Sequence, residues 1–154
     1  MQRGQLEHAI PTACQIIGQP AVVVVGSQAI LGTYREDELP PEATMSVEVD
    51  ILPIADNNDE TARLADLIEG VAGGFSPFEE LHVFSIDGVD LKTAVLPLGW
   101  RGRLVKVQTP TAPHPRGSHS SAACASTRRT SAPRSYAPFE RRTATSSQRC
   151  SKRV

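Results

Sequence analysis

The sequence is poor in cysteine, with three in 154 residues: Cys14, Cys124 and Cys150. An odd number at such spacings frames neither a disulfide scaffold nor a zinc site. No apolar run approaches bilayer-spanning length, and the opening MQRGQLEHAI lacks the apolar stretch of an export signal. A cytoplasmic protein with no membrane contact is therefore expected. Branched aliphatic residues, finally, almost vanish after residue 107, where Ser, Thr, Ala, Pro and Arg take over. Such a segment cannot bury enough apolar surface to offset its ordering entropy, so residues 107–154 are expected to be disordered.

Charge divides the chain at the same place. Residues 1–106 carry 7 Lys+Arg against 16 Asp+Glu, and residues 107–154 carry 9 against 1, so the formal net charge of −1 conceals an acidic part and a basic part. The expected organisation is one small domain over 1–106 followed by a basic tail over 107–154.

Within the first part, residues 3–17 place Leu6, Ala9, Ile10, Ala13, Ile16 and Ile17 at helical spacing and stop at Gly18, with Pro11 an expected kink or late start. AVVVV at 21–25 reads as a strand buried on both faces. Ser27 then caps a short helix, AILGTY. REDELPPEAT, at 35–44, is an acidic loop. SVEVDIL alternates with period two, so Val47, Val49 and Ile51 share one face and Glu48 and Asp50 the other. Residues 59–72 form an amphipathic helix through Leu64, Leu67, Ile68 and Val71. LHVFSI and VDLKTAVL flank Asp87-Gly88, a two-residue hairpin signal, and GWRGRLVKV reads as an edge strand. The order α-β-α-β-α-β-β predicts a small α/β (α+β) domain, a mixed sheet with helices packed on it.

Two stretches carry chemistry. Gly26 lets the backbone turn and approach a ligand, and Ser27 adds a hydroxyl beside the free N–H groups of a helix start, a pair suited to an anionic oxygen. Such a junction also occurs as a plain turn. Glu48 and Asp50, two apart on one strand, project together and repel unless solvent or a divalent cation lies between them. A wet edge strand carries the same pattern. Asp87 and Asp90 read first as turn residues, with a third carboxylate as the alternative. Lys92, Arg101, Arg103 and Lys106 read as solvated charge, His8 and His82 as structural, and Trp100 as a core or rim anchor.

Taken together, a buried strand ending in Gly-Ser, a helix, and a strand bearing acid-x-acid resemble the signature of the DNA polymerase-β-like nucleotidyltransferases. VVVVGSQAIL, SVEVDILP and VLPLGWRGRLVKV, within residues 3–107, are similar to the AbiEii/DUF6036-type group, kin to the nucleotidyltransferase toxins of toxin–antitoxin systems. The resemblance implies a minimal nucleotidyltransferase fold in which Gly26 and Ser27 bind the triphosphate and Glu48 and Asp50 are the catalytic ligands of Mg²⁺. It further implies nucleotide transfer from a nucleoside triphosphate to tRNA, another RNA or a protein, and a cognate antitoxin as partner.

The sequence departs from that pattern in three ways. The gap from Ser27 to Glu48 is long, filled by the acidic loop; Asp37 lies nearer the usual distance, but the prolines and charge around it fit no strand. The first acid is Glu where Asp is commoner. The C-terminal helices that bring a Lys and a further Asp in related toxins have no counterpart in 107–154. Permissible codons for residues 123–153, read two bases out of frame, encode an amphipathic helical pair with a similar Lys and Asp, so a frameshift between residues 107 and 123 is expected and the coding DNA tests it. Without those helices one sheet face is expected to stand uncovered, exposing Val and Ile. The alternative reading is a non-catalytic module that binds nucleotide or a partner, its basic tail holding nucleic acid through phosphates.

Overall fold

The computed structural model describes residues 1–108 and 123–127. Helix α1, Arg3–Ile17, opens on reciprocal hydrogen bonds between Gln2 and Gln5 and closes at Gly18, whose φ of 68° is the left-handed conformation a helix stop requires. Pro11 neither delays nor ends it. The N–H that proline lacks removes one helical bond, while the next residue, Thr12, donates its hydroxyl to the His8 carbonyl at 2.8 Å.

Strand β1 is Ala21–Val25, followed by a 3₁₀ turn at Ser27–Gly32. The acidic loop folds as two further 3₁₀ turns, Glu36–Glu38 and Pro41–Thr44. Strand β2 is Glu48–Pro53. Helix α2, Asn58–Ala72, is capped by Asn57, whose side chain accepts from the Glu60 N–H at 2.9 Å, with Asp59 and Glu60 complementing the first turn. Helix α3, Pro77–His82, leads into strand β3, Ser85–Gly88. Strands β4, Leu104–Gln108, and β5, Ala123–Thr127, complete a five-stranded mixed sheet in the order β3-β2-β1-β5-β4. β1 pairs antiparallel with β2 and parallel with β5, β2 parallel with β3, and β4 antiparallel with β5. The fold is the expected small α/β architecture, with β4 at an edge.

The main core lies between the helices and one face of the sheet. Val22 and Val24 of β1, Val49 and Ile51 of β2 and Ile86 of β3 meet Leu6, Ile10 and Ala13 of α1 and Ile68 and Ala72 of α2. Each of these sheet residues is fully buried, which at about 25 cal/mol per Å² of apolar area makes this interface the main source of stability. The opposite face buries Val23, Val25 and Leu52 beneath Val89, Leu96, Trp100 and Leu104.

Five expectations are corrected. Asp87-Gly88 is not a hairpin turn: both residues belong to β3, which pairs parallel to β2. Gly88 is there for packing, because a Cβ would sit 2.0 Å from the Ala65 carbonyl oxygen of α2. That close approach also turns α2, which buries Thr61, Leu64, Ala65, Ile68 and Ala72 and leaves Leu67 and Val71 exposed. Ser27 is the first residue of its turn rather than the cap; Gly26 holds that position and no side chain caps it. The second sheet face is covered at Val23, Val25 and Leu52 by the segment from Val89 to Leu104. Finally, the sheet crosses the 106/107 boundary, since β5 comes from the basic part. The rest of the tail expectation lies outside the described residues.

Candidate functional site

Strand pairing assembles the site. In the β1–β2 ladder Val25 stands opposite Asp50, and in the β2–β3 ladder Glu48 stands opposite Ser85 and Asp50 opposite Asp87. Partners across a ladder share a face. Glu48, Asp50, Ser85 and Asp87 therefore rise on the side of the sheet away from α1 and α2, at the end where β1 terminates.

Gly26 closes this end. Its φ of 70° and ψ of −160° belong to a region open essentially to glycine. A Cβ there would lie 2.1 Å from Asp50 Oδ2, so the corner and the carboxylate occupy adjoining space. Ser27 follows, exposed beside it. The next residue, Gln28, is 2% exposed, and its Nε2 lies 3.3 Å from both Ser27 Oγ and the Ala43 carbonyl oxygen. Its Oε1 is buried without a hydrogen-bond partner among the described residues, a condition that costs about 1–3 kcal/mol.

The acids are electrostatically frustrated. Burial, then the charge of Asp87, holds the Asp50 carboxyl above its usual range. Burial likewise pushes Asp87 up to about 6, helped by the charges of Glu48 and Glu69 and a hydrogen bond with Glu48. The ion pairs among the described residues, Arg3–Glu7, Arg35–Asp37 and Arg63–Glu60, leave these three acids without a cationic partner. Of the basic residues considered, Arg101 stacks on Trp100, its guanidinium 5.2 Å from the ring centre, and Arg103 donates to the Leu98 carbonyl.

Asp87 is the residue that sequence reasoning set aside. A hairpin signal masked it, and the cue that would have found it is the parallel register with β2. Asp90 lies beyond β3 and not in the expected hairpin turn: it accepts from Asn58 Nδ2 at 3.0 Å and from the Lys92 and Thr93 N–H groups, which together hold its carboxyl down at about 2. His8 and His82 lie in an aromatic cluster with Phe78 and Phe84, their own ring centres 4.6 Å apart. Asp37 is salt-bridged to Arg35 in the exposed loop, away from any strand.

As the side chains stand, no three His, Cys, Asp or Glu residues among the described residues converge enough to hold a metal ion. The donor chemistry nonetheless fits a hard divalent cation: carboxylate oxygens on one sheet face, repelling one another, are what Mg²⁺ would stabilise. An open hollow of about 540 Å³ beside Glu69, Phe75 and Pro77 includes none of these acids. No helix among the described residues is long and apolar enough to cross a membrane. Comparison with protein-family models, curated proteins and solved structures finds no match.

Proposed function

We propose that this chain is a nucleotidyltransferase-like protein of the cytoplasm, passing a nucleotide from a nucleoside triphosphate to tRNA, another RNA or a protein with Mg²⁺, in the manner of a toxin held by a cognate antitoxin. The observation that carries this reading is the meeting of Gly26 and Asp50 across β1 and β2, with the Ser27 hydroxyl at the same corner.

In this reading the absent side chain of Gly26 lets the Asp50 carboxylate close up on the corner, and the Ser27 hydroxyl donates to a phosphate oxygen. Glu48, Asp50 and Asp87 would hold Mg²⁺. When bound, Mg²⁺ neutralises phosphate charge and favours attack by an acceptor hydroxyl. Above the pH at which Asp87 titrates, about 6, its carboxylate is ionised and available to Mg²⁺.

One observation favours a second reading, binding without transfer: among the described residues no Lys or Arg pairs with the acid cluster, where transfer needs positive charge to stabilise phosphate oxygens. Label from an α-labelled triphosphate, incubated with Mg²⁺ and bulk tRNA, separates the two. Transfer by the wild type that falls to background in Asp50→Asn supports the enzyme. Triphosphate binding without transfer supports the module, and the absence of both overturns each.

A further inference from the structure

A primary amide next to an exposed hydroxyl determines which of the two donates. The Ala43 carbonyl oxygen can accept and cannot donate, so the Gln28 atom 3.3 Å from it must be the nitrogen. The same nitrogen lies 3.3 Å from Ser27 Oγ, and an NH₂ group has two hydrogens, one for each acceptor. Ser27 therefore accepts from Gln28, which leaves its own hydrogen free to donate to a group on the exposed side of the corner. Flipping the amide would set two oxygens against each other at Ala43. The cost of the observed orientation is visible as Gln28 Oε1, buried with no partner among the described residues in a residue that is 2% exposed. The fold tolerates that unsatisfied acceptor while both N–H bonds are kept.

We propose that Gln28 is a positioning residue that fixes the Ser27 hydroxyl as a hydrogen-bond donor toward the bound ligand, so that the corner selects an acceptor-only anionic oxygen over a donor group. This rests on the triphosphate reading of the corner and adds to it the residue that sets its polarity. It also gives the turn Pro41–Thr44 a purpose: its Ala43 carbonyl is the fixed point against which the amide is oriented.

The test is calorimetric titration of the full-length chain with inorganic tripolyphosphate and Mg²⁺, in the wild type, Ser27→Ala, Gln28→Met and the double variant. Losing one hydrogen bond to a charged group weakens binding about tenfold, so Ser27→Ala is expected to lose about that much. Gln28→Met should lose several-fold on its own, and nothing further when added to Ser27→Ala, because both act through one hydroxyl. Additive losses, or tight binding by Gln28→Met, overturn the role of Gln28 and leave the triphosphate reading intact. A wild type that does not bind tripolyphosphate overturns the reading and the proposal together. Should Gln28→Met fail to fold, the wild type still decides by NMR: both Gln28 side-chain amide protons are expected to exchange slowly with solvent, and one of them to shift in Ser27→Ala. Rapid exchange of the protons, or no shift in Ser27→Ala, overturns the proposal.

Discussion

The two faces of the sheet are built from alternate residues of the same strands and have opposite characters. On the helical side Val22, Val24, Val49, Ile51 and Ile86 meet α1 and α2 in a continuous core. On the other side the cover over Val23, Val25 and Leu52 is partly buried Val89, Leu96, Trp100 and Leu104, and it gives way to Glu48, Asp50 and Asp87 where β1 ends. Stability is thus concentrated on one face and electrostatic strain on the other. A strand with period-two alternation can serve both purposes because neighbouring side chains never share a surface.

Truncation on each face is the strongest way to break that comparison. Ile51→Ala is expected to cost toward the upper end of about 2–5 kcal/mol, and Leu52→Ala toward the lower end, both by denaturant unfolding. Equal losses would mean that the Val89–Leu104 cover packs as tightly as the helices do. Next in size is Gly26→Ala, which forces an L-residue into a glycine-only conformation and against Asp50. It should destabilise by about 1–3 kcal/mol, with loss of tripolyphosphate binding.

The smallest effect is the sharpest test of the acidic face. Asp87 titrates from an ordinary value of 3.8 in the unfolded chain to about 6 in the folded one. Between those values the folded state holds more protons than the unfolded, so stability falls as pH rises through the window. Asp87→Asn should remove that decline and raise stability at pH 7, by about 1 kcal/mol or less because the group is partly exposed and screened. Mg²⁺ should raise the wild-type unfolding temperature at pH 7.5 and have little effect at pH 4.5. An unchanged pH profile in Asp87→Asn would remove Asp87 from the cluster.

Local signals were legible in the sequence, and long-range ones were not. Apolar spacing and terminal glycine give α1 from residue 3 to residue 17, and the β-branched run gives β1 from 21 to 25. Alternation in SVEVDIL separates Val49 and Ile51 from Glu48 and Asp50, the division observed. The pairing of β3 with β2 depends on contacts across thirty-seven positions, as between Glu48 and Ser85, and no local pattern encodes it. Asp87-Gly88 misled for a related reason: its glycine answers the approach of Ala65 from another helix. Small Ala65 and Ala72 decide which stripe of α2 is buried, against the larger Leu67 and Val71, because close backbone approach outweighs side-chain size there. Gln28 drew no reading from the sequence, because its significance needs the Ala43 carbonyl brought back from fifteen positions away.

β1, which ends at the glycine corner, is bordered by β2 on one edge and by β5, from the arginine-rich part of the chain, on the other. The two oppositely charged parts are thus woven into one hydrogen-bonded ladder. Cutting the chain before Ala123 would strip the partner from Ala21–Val24 and from β4, presenting an open rim to any passing extended peptide. A chain shortened there is expected to self-associate along that rim, eluting above monomer size in gel filtration, where a chain cut after Thr127 keeps both ladders.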